Sequence, residues 1–221
     1  AFNDTLGGGG GANVLNGGSG NDTMSGAAGD DTYVVDSALD VVTEIASGGI
    51  DTVVSGVTRT LGTEQENLTL SGGAAIDATG NSLANVLTGN AGTNVLNGGT
   101  NFDTVNYAGA TAAVNANLST GIVTGGGGND SLVSIEAWIG SRFADTVVGN
   151  NAANILTGGA GADTLTGGVG IDRFVFTAMA GADTITDFVS STDLFQVSQS
   201  ALAVGDGDTL GGSSGRRRGV G

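Results

Sequence analysis

The residues able to do chemistry in this chain are carboxylates set at fixed intervals. Between Gly140 and Val175 the sequence divides into four blocks of nine: GSRFADTVV, GNNAANILT, GGAGADTLT and GGVGIDRFV. Each opens on Gly, carries an acid or its amide sixth (Asp145, Asn154, Asp163, Asp172) and a large apolar residue eighth (Val147, Leu156, Leu165, Phe174). The same ruler fits residues 8–34 as GGGGANVLN, GGSGNDTMS and GAAGDDTYV, whose sixth positions are Asn13, Asp22 and Asp31, after the end of a block that contains Asp4. It returns over residues 80–106 with Asn85, Asn94 and Asp103, and once alone as GGGGNDSLV (125–133) with Asp130. After a slip of two residues a last block, AMAGADTIT (178–186), supplies Asp183.

Carboxylates beside loops of Gly, whose backbone can turn several carbonyl oxygens toward one point, offer an all-oxygen donor set. Such a set suits Ca²⁺, which takes six to eight oxygens at about 2.3–2.6 Å, better than the smaller and stiffer Mg²⁺ octahedron. Softer metals want imidazole or thiolate, and the chain has neither His nor Cys. The same absence excludes a disulfide framework, a Ser-His triad and zinc hydrolysis of the H-E-x-x-H type. Two motif matches therefore carry nothing: GGSSG (211–215) lacks a histidine partner, and Gly7, Gly9 and Ala12 lack the strand, helix and distant acid of a dinucleotide site.

The elements that position these carboxylates must be short strands. Val, Ile and Thr runs bounded by Gly, Asn and Ser favour strand over helix, and blocks of nine without hairpin chemistry predict a chain that coils forward. The fold expected is all-β, a right-handed parallel β-roll or β-solenoid with one loop and one strand per block. Blocks n and n+2 then stack, each coil taking eighteen residues and advancing about 4.8 Å. Eighth-position residues face inward. The stacking pairs Asp4 with Asp22 and Asp145 with Asp163 as the strongest metal sites, then Asp163 with Asp183. Asn13 with Asp31, Asn85 with Asp103 and Asn154 with Asp172 offer one charge each. Loop donors are expected from Gly17, Gly18, Ser19 and Gly20, and from Gly158, Gly159 and Gly161. Asp130 has no phased partner, so ligand and turn former are equal readings of it, and the sixth-position Asn residues read as structural rungs.

The ruler divides the chain into repeats at 1–34, irregular rungs at 35–79, degenerate repeats at 80–106, irregular rungs with one block at 107–139, repeats at 140–186, a terminal cap at 187–200 and a low-complexity tail at 201–221. Within 35–79 the β-like runs are Asp40–Ile45, Asp51–Thr58 and Leu68–Leu70, with a short helix weighed over Thr63–Asn67. Within 107–139 they are Val114–Leu118 and Gly121–Thr124.

Composition agrees with this reading. The 43 Gly, no Pro and no Cys among 221 residues answer a repeated backbone need, and a hydrophobic content of 39% is too high for a purely disordered chain. With 22 acids against six basic residues the formal charge is −16, which attracts cations and repels nucleic acid and anionic membranes. No apolar run reaches bilayer-spanning length, and AFNDTLGG has no signal-peptide character. The start in mid-repeat reads as a fragment of a longer protein.

GGSGNDTMS, GGGGNDSLV and GGAGADTLT resemble the repeats of the RTX, or haemolysin-type calcium-binding, family, as in the C-terminal β-rolls of serralysin-like proteins. DDTYVVDSALDVVTE, ENLTLSGGAAIDATGNSLANVLTGN and DSLVSIEAWIGSRFADTVVGN look like connecting rungs of large bacterial members. The resemblance implies several Ca²⁺ ions held by sixth-position Asp and loop carbonyls. It also implies export by type I secretion machinery to the extracellular space, and folding that waits for calcium there. The terminal RRRGVG departs from the family's secretion signal. The expected function is calcium binding by a secreted module that is not itself an enzyme. The alternatives are the C-terminal secretion and folding part of an exported hydrolase, such as a metalloprotease or lipase with its catalytic domain upstream, and part of a surface adhesin.

Overall fold

Strands of two to four residues alternate with Gly- and Asn-rich loops because each block holds only enough β-formers for one short strand. The computed structural model describes residues 1–177 and 181–198. Among these residues there is no helix, and the strands wind into a parallel β-solenoid of about eleven turns, the expected right-handed β-roll.

Except at Val114–Val133, successive strands fall on opposite walls. One wall is a single ten-stranded sheet that runs from Val14–Asn16 through Thr32–Val35 to Leu194–Val197. The facing wall comprises a three-stranded sheet beginning at Thr5–Gly7 and a nine-stranded sheet. Register between neighbours is in phase with the nine-residue ruler: Leu15 pairs with Tyr33, Leu156 with Phe174, and Val147 with Leu165.

That register lines the eighth positions into two facing columns. Leu15, Tyr33, Val53, Leu68, Leu87, Val105, Trp138, Leu156 and Phe174 form one, and Met24, Ala78, Leu96, Leu132, Val147 and Leu165 belong to the other, all buried. Each large side chain so buried contributes about 1.5–3 kcal/mol. With one inward side chain in the three-residue strands, and two only in a few longer ones such as Thr32–Val35 and Asn67–Leu70, the core is thin, so the loops weigh heavily in stability.

Three departures from the expected rungs have local causes. The helix weighed over Thr63–Asn67 does not form. Gly62 N donates to Gln65 Oε1, Glu64 takes φ 58°, and Asn67 already opens a strand. Where the facing wall breaks after Val41–Thr43, Arg59 Nη1 and Gln65 Nε2 donate to the carbonyls of Asp40 and Val42, so side chains stand in for the missing ladder. Second, Val114–Asn117 and Ile122–Gly125 form an antiparallel hairpin spliced into the nine-stranded wall, where only forward coiling was expected. Third, the segment expected as a terminal cap contains one more rung, with Leu194–Val197 paired to Arg173–Phe176 and Phe188 stacked on Phe195. Residues 199–221, including the low-complexity tail, lie outside the described residues.

Candidate metal centre

Because Asp, Asn or Glu stands immediately before most strands, the exceptions being Arg59–Thr60, Val114–Asn117 and Ile122–Gly125, its side chain lies where one turn meets the next. The backbone N–H of Asp4 donates to Asp22 Oδ1, Asn13 to Asp31, Asn85 to Asp103, Asp145 to Asp163, Asn154 to Asp172 and Asp163 to Asp183, all at 2.7–3.0 Å. These are the expected n to n+2 pairs. A charged acceptor makes each such bond worth about 1.5–3 kcal/mol.

The ladder also includes acids outside the ruler. Asp22 N donates to Asp40, Asp31 N to Asp51, Asp51 N to Glu66, Asp103 N to Glu136 and Asp172 N to Asp193. Their rungs are 15, 18, 20, 21 or 33 residues long, so a fixed nine-residue spacing finds only Asp40, which lacks the Gly loop. The remaining signal is local: an acid directly before a β-run, as in Asp51-Thr-Val-Val and Glu66-Asn-Leu-Thr.

What the sixth-position side chain accepts from its own loop divides the loops into two kinds. In the first kind the N–H of the second block position closes on the sixth side chain. Gly9 donates to Asn13, Asn81 to Asn85, Asn90 to Asn94 and Asn150 to Asn154, at 2.7–2.9 Å. The amide nitrogens of Asn85, Asn94 and Asn154 in turn reach carbonyls of the preceding rung, at Glu66, Ile76 and Glu136. Asn thus satisfies both neighbours without an ion.

In the second kind the second and fourth positions both have positive φ: Gly18 and Gly20, Ala27 and Gly29, Gly99 and Asn101, Gly159 and Gly161, Gly168 and Gly170. These are the loops of Asp22, Asp31, Asp103, Asp163 and Asp172. No second-position N–H bonds its own carboxylate here; Gly18 and Gly99 donate backward to Asn16 and Asn97 instead. Oδ2 of Asp22, Asp31, Asp103 and Asp163 is buried with no hydrogen-bond partner. A methyl group on Gly17 or Gly158 would collide with that oxygen, so the first-position Gly keeps the cradle open. Ser19 lies at the surface of the Asp22 loop, its hydroxyl 3.4 Å from Asp36.

Two expected ligands are placed differently. Asp145 Oδ1 accepts from Val114 N and Ser141 Oγ, and Oδ2 from Ser141 N. Asp130 Oδ1 accepts from Asn94 N, 36 residues away because the hairpin rung intervenes, and Oδ2 from Tyr107 Oη at 2.7 Å. Tyr107 stacks on Trp138 at 4.7 Å. Both carboxylates are consumed by the protein.

Burial raises the carboxyl of Asp163 to about 6 against the hydrogen bond from Asp145 N, with the Asp183 and Asp145 charges adding to the rise. Burial likewise raises Asp103 and Asp172. An unpartnered, desolvated carboxylate oxygen is costly, and a hard cation is the partner that suits it and the flanking oxygen-rich loops. The donor set fits calcium.

Stacked carboxylate loops on a parallel β-solenoid define a metal-binding repeat protein. Residues 1–33, 79–106, 122–134 and 139–174 match the RTX calcium-binding nonapeptide repeat in four copies. The chain belongs to that family, and its cofactor is Ca²⁺, in several copies. A search of curated proteins returned no match.

Proposed function

We propose that this chain is a calcium-dependent folding module, its ions held at the loops of Asp22, Asp31, Asp103, Asp163 and Asp172 by the free carboxylate oxygen and the loop carbonyls. The observation that carries this reading is the buried, unpartnered Oδ2 of four of these residues beside loops with left-handed second and fourth positions. Asp130 and Asp145 serve as structural acceptors, and Asp4 and Asp183 as neighbours in the ladder. Without calcium the loop carboxylates repel one another across a thin core. With it, a site filled to 100 times its Kd stabilises the roll by about 2.7 kcal/mol.

In this reading the module is exported by a type I system and folds where calcium is plentiful. It has no catalysis of its own, consistent with a chain that lacks His and Cys. A calcium titration after chelation, followed by far-UV circular dichroism and calorimetry, tests it. Strand signal and binding heat are expected to rise together. A chain equally β-rich throughout, releasing no heat, overturns it.

A further inference from the structure

The two-residue lengthening of the rung between Asp31 and Asp51 places a third carboxylate beside them. Val35–Thr43 fills one nine-residue span and Ala46–Val54 the next, with Asp40 and Asp51 sixth in each. Glu44 and Ile45 are the insert between them, outside every segment that matches the nonapeptide family. One carboxylate oxygen from each of Asp31, Glu44 and Asp51 lies within 4.8 Å of the other two. Ligands on opposite sides of a Ca²⁺ ion at about 2.4 Å are separated by about that distance.

The surroundings point inward. Asp31 is 1% exposed, and its Oδ1 is taken by Asn13 N while Oδ2 has no partner. A methyl group on Gly26 would strike both Asp31 Oδ2 and Tyr33 Oη, so these two atoms border the same space. Tyr33 Oη donates to Glu44 Oε1, and Ile45 N to Glu44 Oε2. The free oxygen of Asp31 therefore borders the space of the hydroxyl that holds Glu44. A methyl group on Gly48 would sit 2.9 Å from Ala27 O, 3.0 Å from Ile45 O and 3.3 Å from Glu44 Oε2, which places two carbonyls at the rim. Among the described residues no cationic side chain is hydrogen-bonded to the three acids, and the chain has no lysine.

We propose that Asp31, Glu44 and Asp51 form a three-carboxylate Ca²⁺ site, distinct from the other loops in drawing a ligand from the Glu44–Ile45 insert. It rests on the reading of the Asp31 loop as ion-binding. Higher ligand charge tightens calcium sites, so this one fills before the single-carboxylate loops. Tyr33, bonded to Glu44, reports on it.

The test is calorimetry with Ca²⁺ together with Tb³⁺ emission excited through tyrosine, on the full chain and on Glu44→Gln and Tyr33→Phe. Glu44→Gln is expected to weaken the tightest site roughly tenfold or more, leaving the later sites in place. Tyr33→Phe should keep the calcium stoichiometry and lose most tyrosine-sensitised Tb³⁺ emission. An unchanged tightest site in Glu44→Gln overturns the proposal. If Glu44→Gln fails to fold even with calcium, Tyr33→Phe decides: emission lost with stoichiometry kept supports it, and emission kept overturns it. A wild-type chain that binds no calcium overturns the broader reading instead.

Discussion

The amide nitrogen of Asp145 donates to Oδ1 of Asp163, 2.8 Å away and one turn farther along the roll, yet the two carboxylates lead different lives. Asp145 is closed by Ser141, whereas Asp163 keeps one buried oxygen free. Asp163→Ala is expected to remove one ion from the calcium stoichiometry. In chelator it should also cost about 1–3 kcal/mol, because Asp145 N is left buried without an acceptor. Asp145→Asn should leave the stoichiometry unchanged. Calorimetry and denaturant titration of both variants check the contrast.

Adding charge to a closed loop should not create a site. Asn154→Asp loses the donation from Nδ2 to Glu136 O and keeps a loop whose second-position N–H already fills the sixth-position acceptor. The expected result is lower stability in chelator and no additional ion by calorimetry. One more ion per chain would show that charge alone, not loop conformation, decides binding.

Among the described residues the second position is left-handed only in the open loops, one of which has Ala27 there, and the cost of a side chain at that position depends on what it meets. Gly159 has φ 103°, and a methyl group there would collide with Ser141 O. Gly159→Ala should therefore destabilise by more than the ~1 kcal/mol scale of a compatible exchange. Gly9, in the closed Asn13 loop, has open space and no left-handed φ, so Gly9→Ala should be neutral or slightly stabilising. Thermal melts of the two variants at one calcium concentration make the comparison.

The pH dependence follows from Asp163, whose carboxyl is raised to about 6 from 3.8, first by burial. A raised carboxyl means the folded state binds its proton more tightly than the unfolded chain. In chelator, stability is therefore expected to increase as pH falls through about 6 toward 4. Calcium affinity at this loop should move the other way, weakening below pH 6 as protons compete for Oδ2. Melting temperatures against pH, with and without calcium, show whether the two curves converge at low pH.

Tyr107→Phe leaves Asp130 Oδ2 buried without its hydroxyl donor. A loss of about 1–3 kcal/mol is expected, with calcium stoichiometry unchanged. A change in the number of ions would return Asp130 to the ligands.

Much of the architecture is legible in the sequence because nine-residue periodicity is a property of the chain itself. It locates the strands, the inward Leu156, Leu165 and Phe174, and the n to n+2 pairing of Asp4 with Asp22 and Asp145 with Asp163. It loses Asp51, Glu66, Glu136 and Asp193, because inserts and shortened rungs put them off phase while stacking still brings them onto the ladder. It also misplaces Thr63–Asn67, where Gln65 and Glu66 are held by contacts with other rungs rather than by local helical preference.

What the sequence determined by itself is therefore the roll and the column of acids along it. Only the tertiary structure decided which acids remain free to meet an ion. Each carboxylate has two oxygens; stacking fixes the first, and the second depends on the turn at the second block position or on a residue brought from far along the chain. Ser141 closes Asp145, Tyr107 closes Asp130, and Asp163, whose loop turns left-handed at Gly159 and Gly161, keeps its second oxygen without a partner.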